Sequence, residues 1–465
     1  MKNIGLFGIS IPTEYGGSNL SMEQEVKLTF ELGRASPAFR SMAGTNIGIG
    51  SQTIVMSGTD EQKQKYLPKF STGEIIGSFA LTEPDSGSDA MSITTSAKKV
   101  GNEYLINGTK RYITNAPIAG VFSVMARTNE EKSSSSISCF LVDSKLPGIT
   151  IGKPDRKMGQ SGALTADIIF DNCKVNKDSL LGAKEGIGFT TAMKVLDKGR
   201  LHISGICVGL SERLLFEALK FATNRKQFGE EISNFQLIQA MIADSKSEIL
   251  AAKGLIINTA KMRDEGKNVT LESSCAKLFC SEILGKIADR AVQIHGGAGY
   301  MSEYAVERLY RDARLFRIYE GTSEINRMLL VGMILKRAAK GELDITSSAL
   351  SVSEELLSVP TIDNGDDASI FSEYHHVIKN LKKANIGHRI VGDPTLFDVL
   401  FLDQDIKNYR DTKKADIKLN ALFNKGLRMR GIFKSSAKIY PSLAISDEDL
   451  FNTKKAIHDT VLNLV

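Results

Sequence analysis

The hydrophobic period of this chain switches twice, from helical to strand-like near residue 76 and back again near residue 183. Before the first switch, SMEQEVKLTFELGRAS offers Ser21 as an N-cap and Glu23 and Glu25 in the first turn, with Val26, Leu28, Phe30 and Leu32 inside. TDEQKQKYLPKF gives a second short helix, capped at Thr59 and stopped by Pro68. Between the switches, IIGSFALTE, YLINGTKRYITNA, VFSVMART, ISCFLVD and ALTADIIF are short, partly alternating and rich in β-branched or aromatic residues. Asn107-Gly108 reads as a hairpin turn between two strands. After the second switch, Ile206, Leu210, Leu214 and Ala218 recur at three-to-four spacing. Three more helical runs follow: one ends near Gly266, one stops at Gly296-Gly297, and one opens at Ser323. Long helices with short connections make a bundle. The expected fold class is multidomain α+β, with a helical domain at residues 1–75, a central β domain at 76–178 and a C-terminal four-helix bundle at 183–341. Residues 342–370 have the polar, acidic composition of a linker, and 371–465 read as a small α/β tail.

Composition excludes several roles. The formal net charge of +5 is small for 465 residues and does not call for nucleic acid. The five cysteines form no CxxC pair, which argues against a disulfide framework or a zinc site and fits a reducing, cytoplasmic compartment. Six scattered histidines give no metal-ligand spacing, so no metal is expected. No stretch reaches the roughly 18 uninterrupted apolar residues of a membrane span. The opening MKNIGLFGISIP lacks a small-residue cleavage site.

Six short stretches carry possible chemistry, and each also has a structural reading. In RIYEGTSEI, Glu320 sits before Gly321, Thr322, Ser323 and Glu324. It is either an acid favouring a helix N-terminus or a base held on a turn. In FALTEPDSGSDA, Pro84 and Gly87 force a turn that exposes Thr82 and Ser88. In YITN, period two puts Tyr112 and Thr114 on one strand face, either at a domain interface or against a ligand. NRKQFG combines the fixed cation of Arg225 with the flat ring of Phe228, at what is also a helix C-terminus. QIHGGAGY places Gln293 before Gly297. LDKGR sets Asp197 and Arg200 one helical turn apart, a spacing that also makes ordinary surface ion pairs.

The order of domains and these motifs resemble the acyl-CoA dehydrogenase flavoproteins over about residues 3–342. The resemblance implies FAD as cofactor and an acyl-CoA thioester as substrate, oxidised to the trans-2-enoyl-CoA. It places Glu320 as the base that takes the α-proton while the β-hydrogen leaves as hydride to flavin N5. Phe79, Leu81, Thr82, Ser88, Tyr112, Thr114, Thr322 and Glu324 would line FAD, with Ser88 reaching its pyrophosphate. Arg225 and Phe228 would meet the FAD of a neighbouring subunit, and Gln293 and Gly297 its adenine half. Ser88, Asp197, Arg200 and Gly321 would face the acyl-CoA. The implied partners are an electron-transfer flavoprotein and further copies of the chain, as homotetramer or homodimer, in fatty acid β-oxidation. Some relatives carry the base one residue before the bundle arginine. That position is Gly199 here, so Glu320 is the matching carboxylate.

The chain also departs from that pattern. Relatives have further helices before the segment matching GLFGISIPTEYGG, so the N-terminal domain is expected to be incomplete. Tyr112 stands where the family has a flavin tryptophan, and Glu324 replaces a common glutamine. Arg389–Ile457 resembles the small domain of class III pyridoxal-phosphate aminotransferases, near the glutamate-semialdehyde aminomutases, without their Schiff-base domain. The same residues leave two other readings open: an acyl-CoA oxidase that passes electrons to oxygen, and a non-catalytic truncated fusion protein.

Overall fold

The computed structural model describes residues 1–357, 372–393, 396–407, 409–432, 439 and 446–464. They form two compact units, Met1–Ser351 and Val352–Val465.

The first unit opens with short 3₁₀ turns that bury Leu6, Phe7 and Ile9 against Ala43 and Ile47. Helices α1 (Met22–Ala35), α2 (Pro37–Gly44), α3 (Gln52–Ser57) and α4 (Asp60–Ser71) follow. Ser21 and Thr59 each close a capping box, as their sequence predicts. Pro68 does not stop α4, which runs on to Ser71; the break comes at Gly73, in the left-handed region at φ 67°. A π-helical turn, Thr45–Gly50, joins α2 to α3. There Asn46 Oδ1 accepts from the Gly77 N–H at 2.6 Å, fastening the helices to the first strand.

The β domain contains β1 (Gly77–Ala80), β2 (Ser96–Val100), β3 (Glu103–Thr114), β4 (Val121–Arg127), β5 (Ile137–Asp143), β6 (Ile149–Ile151) and β7 (Thr165–Asn176). The sheet order is β1-β4-β2-β3-β7-β6, with β5 on β4. Phe122, Phe140, Tyr104, Ile106 and Ile168 fill its core. Asn107-Gly108 is not a hairpin turn. It lies inside β3 at a shift in register against β7. The two-residue hairpin loop is Gly101-Asn102, between paired Val100 and Glu103. Gly108 stands at φ 146°, and a side chain there would strike Thr95, so glycine serves a close approach instead of a turn.

The bundle is built on α5 (Gly188–Ala222), α6 (Gln236–Asp264), α7 (Thr270–His295), α8 (Ala305–Arg314) and α9 (Ser323–Ala339). A short hairpin, β8 (Lys226–Gln227) with β9 (Glu230–Glu231), caps the far end of α5. Helix α5 is buried without a break from Lys198 to Ser211, since α1, α6 and α7 surround it. Gly205 and Gly209 let α1 approach backbone to backbone; a side chain at either would collide with Thr29 or with the Phe30 carbonyl. Glu25, an expected dipole acid, is instead 2% exposed. Its carboxylate bonds His202 Nε2 at 2.6 Å and Lys198 Nζ at 3.0 Å.

A further helix, α10 (Ile345–Leu357), occupies part of the segment read as linker despite its polar composition. Residues 358–371 lie outside the described residues. The second unit contains α11 (Ser372–Lys383), an antiparallel pair of β10 (Arg389–Asp393) and β11 (Leu396–Leu400), α12 (Tyr409–Thr412), α13 (Ile417–Met429) and α14 (Asp447–Leu462). Val377, Phe397, Val399, Phe423 and Ile457 form its core. Residues 433–438 and 440–445, within the segment that resembles an aminotransferase small domain, lie outside the described residues. Among the described residues no helix is long and apolar enough to cross a membrane, and no group of side chains could hold a metal ion.

Two buried carboxylates set an acid limit. Burial pushes Glu25 up, but His202 and Lys198 outweigh it and hold the carboxyl at about 2. Burial of Glu83 is likewise outweighed by Lys110 and the Thr94 N–H, which hold it at about 2. Both values lie below the ordinary 4.5. The stability they contribute is therefore complete above that ordinary value and lost as pH falls toward the folded one. Acid unfolding followed by circular dichroism should steepen in that window and flatten in Glu25→Gln and Glu83→Gln. An unchanged acid limb in both variants would refute the assignment.

Candidate active site

The chain leaves a 3₁₀ turn at Leu315–Arg317 and must reverse before α9. It does so through Glu320 at φ 52° and Gly321 at φ 91°. Left-handed backbone costs a non-glycine residue about 1–3 kcal/mol, so its neighbours must hold it there. Asn326 Nδ2 donates to the Gly321 and Thr322 carbonyls, each at 2.9 Å. Lys277 Nζ donates to the Gly321 carbonyl from α7. Thr322 Oγ1 accepts from the Ile325 N–H at 3.2 Å and caps α9. The capping reading of this stretch therefore belongs to Thr322, while Glu320 turns inward.

The Glu320 carboxylate points at α5. A side chain at Gly199 would collide with Oε2. Arg40 Nη1 lies 3.8 Å from Oε1. Oε2 is buried and has no hydrogen-bond partner among the described residues. Beside it, Arg200 Nη1 meets Asp197 Oδ1 at 2.5 Å and Ser274 Oγ at 3.2 Å. Thr270 Oγ1 holds the other Asp197 oxygen at 2.9 Å. Burial lowers Arg200 against the opposing pull of Asp197 and Glu320. Burial also takes Lys277 down to about 8, although the charges of Cys207 and Glu320 oppose it. A buried carboxylate with one oxygen unpartnered among the described residues is placed to accept a proton.

A second cluster lies where β1 and β3 end. Phe79 and Leu81 are buried, whereas Thr82 and Thr114 are half-buried. The Arg111 N–H donates to the Thr82 carbonyl at 2.8 Å and joins the two strand ends. Tyr112 is 65% exposed at φ 58°, in a bulge of β3. Strict period two does not hold through that bulge, yet Tyr112 and Thr114 both flank buried Ile113. Ser88 and Glu324 are exposed. Beneath the cluster, fully buried Lys110 donates to Glu83 at 2.7 Å and to the Leu81 carbonyl at 3.0 Å. Glu83 in turn accepts from the Thr94 and Thr95 N–H groups, closing the loop that carries Ser88.

Helix α2 joins the clusters. Asn115 Nδ2 donates to the Met42 carbonyl at 2.9 Å, and Arg40 sits two residues away on the same helix. The four remaining candidates stand apart. Arg225 and Phe228 lie beyond the far end of α5, about 35 Å along its axis from Gly199 at 1.5 Å per residue. Phe228 is 96% exposed there. Gln293 and Gly297 lie at the opposite end of α7 from Ser274. Sequence reading missed Arg40, Lys277, Asn326 and the Lys110–Glu83 pair. The available signal was a charge within apolar or small residues, as in PAFRSMAG and SCAKLF.

For a flavin, the second cluster fits. The exposed Tyr112 ring and half-buried Thr114 lie on the strand end that Arg111 ties to Thr82, and neither threonine hydroxyl has a hydrogen bond among the described residues. Residues 1–74, 78–173 and 186–335 match, in order, the N-terminal, middle and C-terminal domains of acyl-CoA dehydrogenase. The CarC subunit of the caffeyl-CoA reductase–Etf complex of Acetobacterium woodii is 44% identical over 337 residues, 72% of this chain and 89% of that protein. The chain belongs to the acyl-CoA dehydrogenase family. Butyryl-CoA dehydrogenase of Megasphaera elsdenii superposes with a TM-score of 0.70 at 34% identity, covering 72% of this chain and 88% of its own. An acyl-CoA dehydrogenase of Bacillus anthracis complexed with FAD gives 0.73 at 35% identity, covering 82% and 67%. Like its family, this acyl-CoA dehydrogenase is an FAD-dependent oxidoreductase acting on a CH–CH bond.

Proposed function

We propose that Glu320 is the base that removes the α-proton of an acyl-CoA thioester, yielding the 2-enoyl-CoA. The observation that carries this is its buried Oε2, which has no partner among the described residues and faces a position with no side chain. When bound, FAD supplies the hydride acceptor. Thr82, Tyr112 and Thr114 would hold it, with Ser88, Thr322 and Glu324 at its edges. Lys277 and Asn326 fix the Gly321 carbonyl and so fix the peptide that carries the base. An apolar acyl chain bound beside Glu320 would displace water, which strengthens each charge contact around it. Asp197 and Arg200 would orient the thioester. Run in reverse, the same groups return a proton to the α-carbon of an enoyl-CoA. The naming of one relative as a caffeyl-CoA reductase favours keeping that second direction.

The test is a visible spectrum of the purified protein, followed by anaerobic titration with saturated acyl-CoAs and their 2-enoyl counterparts. Bleaching by the saturated thioesters with slow reoxidation in air supports the dehydrogenase. Fast reoxidation by oxygen would make it an oxidase, and a colourless protein that takes up no FAD would refute both.

The same reading includes an electron-transfer flavoprotein as acceptor, suggested by the Etf complex of that relative. It also includes a place in fatty acid β-oxidation in the cytoplasm. Arg225 and Phe228 would serve the FAD of a second copy, since they stand exposed and far from Glu320. Arg225→Ala should then weaken FAD binding and oligomerisation together, by roughly tenfold or more for one charge-assisted contact. Sedimentation with FAD absorbance would read both, and unchanged FAD content in an intact oligomer would count against it. We further propose that residues 352–465 are a fusion remnant of a pyridoxal-phosphate enzyme's small domain.

A further inference from the structure

We infer that Lys277 is a positioning residue: its ammonium charge, acting through the Gly321 carbonyl, keeps Glu320 aligned for proton abstraction, and flavin reduction by acyl-CoA falls when Lys277 loses its proton. This rests on Glu320 being the base. Three lysines are buried among the described residues: Lys110, Lys198 and Lys277. Lys110 meets Glu83 at 2.7 Å, and Lys198 meets Glu25 at 3.0 Å. Lys277 is 0% exposed and forms no ion pair with a carboxylate among the described residues. Its one hydrogen bond there goes to the Gly321 carbonyl, which also accepts from Asn326 Nδ2 at 2.9 Å.

A neutral amide or hydroxyl could donate to the same carbonyl without the cost of burying an unpaired charge. What the ammonium adds is strength, since a charge-assisted bond is roughly twice as strong as a neutral one. That strength falls on the residue next to Glu320, in a turn whose φ values of 52° at Glu320 and 91° at Gly321 need holding. The charged and titratable groups facing Lys277 are Cys207 and Arg200 on α5, Glu320 on the turn and Glu282 on its own helix. Burial outweighs the pull of both carboxylates and brings the ammonium from the ordinary 10.5 to about 8. Loss of that proton leaves a neutral amine, a weaker donor, and the turn that carries the base loosens. Stability changes the other way. The unfolded chain holds this proton up to the ordinary value and the folded chain releases it near 8, so rising pH favours folding between the two.

The experiment measures single-turnover, anaerobic flavin reduction by saturating butyryl-CoA on the FAD-loaded enzyme, over a pH series from below 8 to 10.5. The native rate constant should fall by roughly three- to tenfold as the pH passes about 8, the loss of charge assistance in one hydrogen bond. Lys277→Met should be slower below that pH, by up to about 100-fold, and flat through the window. Lys277→Arg, which stays charged, should recover part of the rate without the fall. The melting temperature of the native enzyme relative to Lys277→Met should rise over the same window, which separates loss of alignment from unfolding. An alkaline fall that survives unchanged in both variants, or a native rate that stays flat, would overturn the inference. If Lys277→Met takes up no FAD, the Lys277→Arg profile decides between the two results. Native-rate reduction in Glu320→Gln would instead sink the base assignment itself, an outcome distinct from a failure at Lys277.

Discussion

Glu320→Gln should keep FAD and lose flavin reduction by acyl-CoA, by a factor of about 10²–10⁴. The amide is close in size to the carboxylate and can sit beside Arg40 and Gly199 without new bulk. It cannot take up the α-proton. The backbone at φ 52° is held by Asn326 and Lys277 acting on Gly321, so it does not depend on the lost charge. FAD absorbance and melting temperature should therefore stay near the native values while the stopped-flow reduction phase collapses. Reduction at the native rate would remove Glu320 from the role of base.

The second large effect is on stability. Lys110→Met should destabilise the β domain by about 3–5 kcal/mol, because it strands the buried Glu83 carboxylate. The apolar stem of methionine fills most of the lysine's space, so the loss reflects charge more than packing. The melting temperature should fall by roughly 4–7 °C for a domain assembly of this size. The double variant Glu83→Gln with Lys110→Met should recover much of that loss, since no unpaired charge then remains. The loop of Ser88 hangs from Glu83 through Thr94 and Thr95, so FAD content should fall in the single variant too. A melting temperature unchanged in Lys110→Met would show that the pair contributes no net stability.

Much of the architecture is legible from periodicity. The two switches of period bound the β domain, and the caps at Ser21 and Thr59 lie where the side chains place them. Errors fell where local chemistry competes with packing. Asn-Gly is a turn former, but at residues 107–108 it serves a strand that must pass close to Thr95. Pro68 lies near the end of its helix, where little hydrogen bonding remains to be broken. Linker composition at 345–357 did not prevent a helix. In the site, motifs pointed to Glu320, Asp197 and Arg200 because their spacing is local. Arg40, Lys277 and Asn326 reach Glu320 and Gly321 from other helices, and no spacing along the chain records those distances. Arg225 and Phe228 show the opposite limit: their motif is clear, yet nothing in one chain brings them to Glu320.

The missing side chain at residue 199 also shapes what single mutations can reach. A carboxylate placed there would occupy the volume that the Glu320 carboxylate already fills. The helix and the loop are thus alternative addresses for one proton acceptor, and they exclude each other. Adding the helical acid first crowds the working base, and deleting the loop acid first leaves none. A lineage moving its base between the two addresses must cross a valley of low activity or change both positions together. A laboratory library that varies residues 199 and 320 jointly can cross that valley in one step, whereas one that varies them in turn cannot.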